Sequence, residues 1–208
     1  MYDSGQLRTY YDKTAHERET NTVQVWKQVE RGRFLEELRG RRAETLLELG
    51  PGAGKDSLFF KEQGLQVTAA DLSPEMVRLC RAKGIDAQVM DFRSLTFPDA
   101  NFDAVYALNS LLHTPKKVLP DVLEGIRRVM KPGGLFYLGV YGGVDFEGIR
   151  EEDRHEPKRF FSFWEDRGLL ELTTSYFDLV YFRCVEVGHT EGAHFQSFML
   201  EKRKRHRR

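Results

Sequence analysis

The segment Glu44 to Ser57, ETLLELGPGAGKDS, limits what this chain can fold into more than any other. Leu46, Leu47 and Leu49 mark a buried strand, which runs straight into a turn carrying Gly50, Gly52 and Gly54 and opening a helix. Glycine reaches dihedrals that other residues avoid, and it lets a ligand approach the backbone closely. Spacing separates the loops that look alike here. A P-loop needs four residues between its first glycine and its Gly-Lys-Ser/Thr. Gly50 and Gly54 have three between them, and Asp56 stands at the Ser/Thr place, so Gly54-Lys55 is not a P-loop. The dinucleotide fingerprint is G-x-G-x-x-G. This chain has G-x-G-x-G, with an acid, Glu48, two residues ahead.

A chain of 208 residues suits one domain with enough core to fold alone. No apolar run has bilayer-spanning length, and the polar start MYDSGQLRTYYDKTAHERE lacks a signal-peptide core. Cys80 and Cys184 lie in no CxxC motif and form no disulfide framework, which suits a reducing, cytoplasmic setting. Neither is expected to be a nucleophile, since free cysteines are commonly core residues. The formal charge of zero conceals an asymmetry: KRKRHRR, at 202–208, holds six of the 32 basic residues, leaving 26 against 32 acidic ones in the body. An acidic body with a short basic tail is unlike a nucleic-acid-binding face, and the tail reads as a solvated, disordered terminus.

Past the first turn, strands and helices alternate. GLQVTAAD (64–71) is the second strand, and Ser73-Pro74-Glu75 starts a helix that stops near Gly84, with Ser73 as N-cap and Pro74 at the first helical position. IDAQVMD (85–91) and FDAVYALN (102–109) are the third and fourth strands. Val118, Leu119, Val122, Leu123, Ile126, Val129 and Met130 then share one helix face. Lys131-Pro132-Gly133-Gly134 stops that helix ahead of a fifth strand, LFYLGV. Such alternation predicts an α/β fold, a mostly parallel sheet with helices on both faces. Residues 145–159 read as a charged connection, and 159–172 as a helix with Phe160, Phe163 and Trp164 on one side. SYFDLVYFRCVEV and HFQSFMLEK form an antiparallel hairpin joined by GHTEG, and 20–38 is a helix covering one end of the sheet. The predicted organisation is a helical cap or lid at 1–43, a core at 44–201 that forms one domain with it, and the tail at 202–208.

Ligands of open α/β sheets bind beyond the carboxyl ends of the strands. Asp71 ends the second strand, 19 residues after Gly52, where an acid can accept from both hydroxyls of a ribose. Asp91 ends the third and can accept from an adenine amino group, with Met90 or Phe92 against the ring. Asn109, Ser110, Leu111, Leu112 and His113 follow the fourth. Glu48, Asp71 and Asp91 thus close three consecutive predicted strands. No Cys/His cluster has zinc-ligand spacing, and no metal is expected. His16, His155, His189 and His194 are scattered, with surface or loop roles.

ELGPGAG, TAADLSPEMV, QVMDF, NFDAVYALNSLLH and RVMKPGGLFYLGVY resemble the successive motifs of class I S-adenosylmethionine-dependent methyltransferases, in the style of the small-molecule type 11 group. The resemblance covers roughly 44–202. It implies a Rossmann-like three-layer sandwich whose seven-stranded sheet has its last strand antiparallel and inserted beside the fifth. It implies S-adenosylmethionine as cofactor, S-adenosylhomocysteine as product, and a small-molecule acceptor methylated at O, N, S or C. The implied cofactor-binding residues are Glu48, Gly50, Gly52, Gly54, Asp71, Leu72, Asp91, Phe92, Asn109 and Ser110. TYYDKTAHE resembles a segment that folds over the cofactor in such enzymes, which makes Tyr10 or Tyr11 a lid and adds Tyr11 to that set. His113 is the candidate base, because an imidazole titrates near neutral pH.

The Asn/Asp-Pro-Pro-aromatic tetrad of exocyclic-amine DNA methyltransferases is absent, and neither cysteine follows a proline as a cytosine-C5 mechanism would need. The acceptor pocket is expected from 141–159, Phe160, Phe161, Trp164 and the N-terminal segment, with Arg150, Arg154 and Lys158 available to an anion amid several acids. Two alternatives stay open: an RNA or protein methyltransferase recruited by the basic tail, and a cofactor-binding regulator without turnover. A pocket filled by Phe160 and Trp164 would favour the second. Oligomeric state is not readable from the pattern.

Overall fold

The structure, a computed structural model, describes residues 2–153, 155–187 and 193–204. Four short parallel strands form its first half. They are β1 (Thr45–Leu49), β2 (Gln66–Asp71), β3 (Asp86–Val89) and β4 (Phe102–Leu108). The second half adds β5 (Met130–Gly142), β6 (Phe146–Ile149), β7 (Phe160–Phe163), β8 (Asp178–Val185) and β9 (His194–Glu201). Seven of these make one sheet in the order β3-β2-β1-β4-β5-β9-β8. β9 runs antiparallel to both β5 and β8, while the pairs on the β3 side are all parallel. The expected sheet, with its last strand antiparallel beside the fifth, is therefore the observed one. The GHTEG link at 188–192 lies outside the described residues.

Helices cover both faces. They are α1 (Ser4–Thr20), α2 (Val25–Arg41), α3 (Lys55–Glu62), α4 (Pro74–Ala82), α5 (Leu119–Val129) and α6 (Asp166–Tyr176). One apolar cluster joins Val122, Leu123, Ile126 and Val129 of α5 and Leu169 of α6 to Val105, Phe136, Leu138 and Phe198 of the sheet. The other joins Phe34, Leu35 and Leu38 of α2 and Phe60 of α3 to Leu46, Tyr106 and Tyr137. A strand with helices on both faces buries every side chain, which is why β1 reads as a nearly unbroken apolar run. Ser73 caps α4 as expected, its hydroxyl accepting from the Met76 N–H. Among the described residues, no helix is long and apolar enough to cross a membrane.

Two expectations need correction. The N-terminal helix expected over 20–38 is α2, shifted to Val25–Arg41, and a separate helix, α1, precedes it. Asp3 starts α1 by accepting the Gly5 N–H at 2.8 Å. The larger error is at 159–172. Phe160–Phe163 is a strand, paired antiparallel with Phe146–Ile149 from within the supposed charged connection, and the helix begins only at Asp166. The i, i+3, i+4 spacing of Phe160, Phe163 and Trp164 fits a helix. However, three phenylalanines in four residues prefer a pleated surface once a partner strand is available, and only the tertiary structure supplies that partner.

Candidate functional site

At the carboxyl ends of β1, β2, β3 and β4 lies a cleft of about 580 Å³, a volume ordinary for a small-molecule site. Gly50 closes β1 with φ +69°, donates its N–H to the Ala70 carbonyl at 2.8 Å, and faces Ser110 so closely that a Cβ would stand 2.5 Å from the Ser110 Cβ. Gly52, at φ +54°, has open space where a Cβ would be and donates its N–H to Asp71 Oδ2 at 3.2 Å. Asp71 also accepts the Ser73 N–H at 2.9 Å. Burial nonetheless pushes its carboxyl up to about 6, against the pull of those two backbone donors.

Nine of the expected cofactor residues line this cleft: Tyr11, Gly50, Gly52, Asp71, Leu72, Asp91, Phe92, Asn109 and Ser110. Glu48 and Gly54 do not. Glu48 is buried beneath the turn and accepts the Ser57 hydroxyl, and burial pushes its carboxyl well above the usual carboxylate range. Gly54 shapes the start of α3: it sits at φ +77°, and a Cβ there would lie 2.8 Å from Cys80 Sγ. Asp91 is gripped by the Arg93 guanidinium and also caps the turn through the Arg93 N–H. Burial opposes its ionisation, but these hydrogen bonds hold it below the usual carboxylate range. Asn109 adopts φ +55°, a left-handed conformation that asparagine tolerates better than most residues. Its Oδ1 and the Ser110 Oγ are buried without a protein partner. Unpartnered buried polar atoms are uncommon in folded proteins, so these two leave hydrogen-bonding capacity unused in the protein alone.

A second cavity, of about 350 Å³, adjoins the first and shares Tyr11, Arg18, Asn109 and His113 with it. Its remaining wall includes Tyr141, Phe161 and Phe163 and the guanidinium groups of Arg150 and Arg159. Phe160 and Trp164, expected here, do not line it, whereas Phe161, also expected, and Phe163, not among the expected pocket residues, do. Arg154 and His189 lie outside the described residues.

Between the cavities stands a hydrogen-bonded pair. His113 Nδ1 is 2.7 Å from the Phe160 carbonyl, and a carbonyl only accepts, so Nδ1 carries the proton. Nε2 is then the acceptor for the Tyr11 hydroxyl, 2.7 Å away. Burial drives the imidazole down to about 3, against that bond to the carbonyl, and leaves it neutral. Both ring nitrogens are thus engaged. Tyr11 comes from α1, which Asp12 pins to the start of α4 by accepting the Ser73 hydroxyl at 2.5 Å and the Glu75 N–H at 3.3 Å.

Arg18 was not foreseen from the sequence. It follows Tyr11 by two helical turns, and its guanidinium lies 4.8 Å from the Tyr11 ring centroid. The signal was available, since residues seven apart share a helix face. Away from the cleft, His194 Nε2 lies 2.7 Å from Asp166 Oδ1, and Cys184 Sγ donates to Asp166 Oδ2 at 3.3 Å. Their ligating atoms all lie within 4.8 Å of one another, a grouping that spacing along the chain gave no hint of.

Residues 47–138 match the model of a family described as a methyltransferase domain of type 11. Over 102 residues the chain is 34% identical to a ubiquinone biosynthesis O-methyltransferase of Xanthomonas oryzae pv. oryzae, an alignment covering 46% of this chain and 42% of that relative. The chain thus matches less than half of that relative's length. A 1,6-didemethyltoxoflavin-N1-methyltransferase of Burkholderia thailandensis, solved with bound 1,6-didemethyltoxoflavin and S-adenosylhomocysteine, superposes with a TM-score of 0.73 at 22% identity. That likeness covers 97% of this chain and 89% of the other. The cyclase SpnF also superposes at 0.73, with 19% identity over 97% of this chain and 96% of its own. At such identities the two likenesses speak for the fold, and one fold serves more than one reaction. The matched stretch holds Gly50, Gly52, Asp71, Asp91, Asn109 and Ser110 of the cleft.

Proposed function

We propose that this chain is an S-adenosylmethionine-dependent methyltransferase acting on a small molecule. The reading rests above all on two cavities joined at Tyr11 and His113, the first walled by glycine turns and strand-end acids and the second open beside it. When bound, S-adenosylmethionine supplies a methyl group already activated on a sulfonium. The chain's own work is to bind, orient and exclude water.

In this reading Asp71 accepts from the ribose hydroxyls, while Leu72 and Phe92 flank the base. Asp91 meets the adenine amino group with whatever lone pairs Arg93 leaves open. Asn109 Oδ1 and Ser110 Oγ gain the partners they lack in the protein alone. Glu48, bonded to Ser57, holds the turn from below rather than touching the ligand. Residues 1–43 act as a cap, with Tyr11 as the part that closes over the cofactor. His113 anchors Tyr11, and it takes a proton at Nε2 only after the Tyr11 hydroxyl has turned away. The free space of the second cavity favours turnover over a binding-only regulator. The unpaired thiols, Cys80 and Cys184, suit the reducing cytoplasm as the site of action.

The test is release of S-adenosylhomocysteine from S-adenosylmethionine, measured with the low-molecular-weight, RNA and protein fractions of a cell extract supplied separately. Turnover with the low-molecular-weight fraction is expected. Turnover only with RNA or protein would replace this reading by a macromolecular methyltransferase, for which the basic tail, partly beyond the described residues, is the natural contact. Cofactor binding without turnover on any fraction would point to the regulator.

A further inference from the structure

Among the described residues, the wall of the second cavity bears three guanidinium groups, from Arg18, Arg150 and Arg159, and no carboxylate. Their partners differ. Arg159 is neutralised: its Nε and Nη2 meet Asp153 at 3.0 and 2.9 Å, and although burial opposes ionisation of Asp153, these bonds hold its carboxyl at about 2. Among the described residues Arg150 has only Glu152 as an ion-pair partner, at 3.6 Å, whose side chain is 76% exposed. An ion pair that long and that wet contributes little. Arg18 donates to the Thr14 and Tyr10 hydroxyls, and no ion pair to a carboxylate forms among the described residues. Positive charge is therefore in excess among the described residues of this wall. Two of the guanidinium groups also lie over rings: Arg150 lies 5.6 Å from the Phe163 centroid, and Arg159 5.0 Å from that of Phe161. A fixed planar fork of donors matches a carboxylate, and the rings beside it match a flat apolar body. About 350 Å³ is at the small end of ligand sites.

We propose that the methyl acceptor is a small planar ring compound bearing a carboxylate, held by Arg150 and Arg18 with its ring among Tyr141, Phe161 and Phe163. This inference rests on the methyltransferase reading, for it takes the second cavity as the acceptor's place. A neutral acceptor of the same shape would leave two guanidinium groups facing it unpaired. Arg18 borders both cavities, whereas Arg150 lines only the second, so Arg150 is the residue that reports on the acceptor alone.

Calorimetric titration of the full chain, first with S-adenosylhomocysteine and then with matched acid–amide pairs, tests this. The pairs are benzoate and benzamide, indole-3-carboxylate and its amide, and quinoline-2-carboxylate and its amide. At least one acid should bind about tenfold tighter than its amide, the size of one charge-assisted contact in a partly wet site. Arg150→Gln should erase that preference and leave the S-adenosylhomocysteine titration unchanged, and Arg150→Lys should restore part of it. Acids that bind no better than their amides to protein loaded with S-adenosylhomocysteine would overturn the proposal. So would a preference that survives both Arg150→Gln and Arg18→Gln. Absence of the S-adenosylhomocysteine heat from folded protein would instead sink the methyltransferase reading beneath it.

Discussion

The cleft and the cavity beside it share Tyr11, Arg18, Asn109 and His113, yet they are built by different means. The cleft is assembled from strand ends that follow one another in sequence. Its shape is fixed by local backbone geometry, with Gly50 at φ +69°, Gly52 at φ +54° and Asn109 at φ +55°. Among the described residues, every carboxylate lining either space, from Asp56, Asp71 and Asp91, belongs to the cleft. The second cavity draws on α1, the turn after β4, the β6–β7 hairpin and the ends of β8 and β9, and its charge is cationic. A site made by local geometry can stay the same across a family while its neighbour, made by distant packing, changes with the acceptor.

The sharpest way to break this division is Asp71→Ala. Loss of a charge-assisted acceptor of about 1.5–3 kcal/mol should weaken S-adenosylmethionine binding by roughly ten- to a hundredfold. Arg150→Gln should leave that binding alone. Equal losses from the two variants, read by calorimetry, would mean the two spaces are one site.

Gly50→Ala comes next. The left-handed φ and the 2.5 Å approach to Ser110 should cost about 1–3 kcal/mol of stability, seen as a lower urea midpoint together with weaker cofactor binding. Unchanged stability would show that the turn can relax.

Protonation offers a test of opposite signs. Asp71 has a folded value of about 6, above the ordinary 3.8, so its ionisation opposes folding above pH about 6. That penalty disappears as pH falls towards 3.8, and the ligand-free protein gains up to about 3 kcal/mol from this group. Ribose hydroxyls need the carboxylate, so cofactor affinity should fall as pH drops below about 6, by at most about tenfold per pH unit. Asp71→Asn should flatten both trends. Affinity that rises on acidification would contradict the assignment.

The smallest expected effect is that of Tyr11→Phe, which leaves the buried His113 Nε2 without a donor. A loss of about 1–2 kcal/mol in chemical denaturation should accompany only a few-fold change in cofactor affinity. A loss of cofactor binding as large as that of Asp71→Ala would make Tyr11 part of the cleft proper rather than a partition.

The same contrast explains what could be read from the sequence. Gly50, Gly52, Asp71 and Asp91 stand at fixed offsets from strand ends, so local pattern placed them at the cleft. Glu48 has the same kind of offset, but it is the penultimate residue of β1 and its side chain lies under the turn. Alternation along the strand, applied strictly from Leu49, would have shown it on the opposite face. Phe161 and Arg150 were expected at the acceptor pocket, but the strand pairing that carries them there, and Phe163 with them, was not. Their positions depend on Phe146–Ile149 pairing with Phe160–Phe163, a contact between two segments of which one looked like charged linker and the other like helix. No local signal encodes that pairing. His113 was legible as a residue near the reacting end but not as a neutral, doubly bonded one, because its partners, Tyr11 and the Phe160 carbonyl, lie 102 and 47 residues away.

The account depends first on what the cleft binds. Calorimetric titration of the wild-type chain with S-adenosylmethionine and S-adenosylhomocysteine measures this directly. The account predicts one site per chain with micromolar affinity for both, about −8 kcal/mol. A chain that melts cooperatively yet gives no heat with either compound would contradict it, and the glycine turns and Asp71 would then require another ligand.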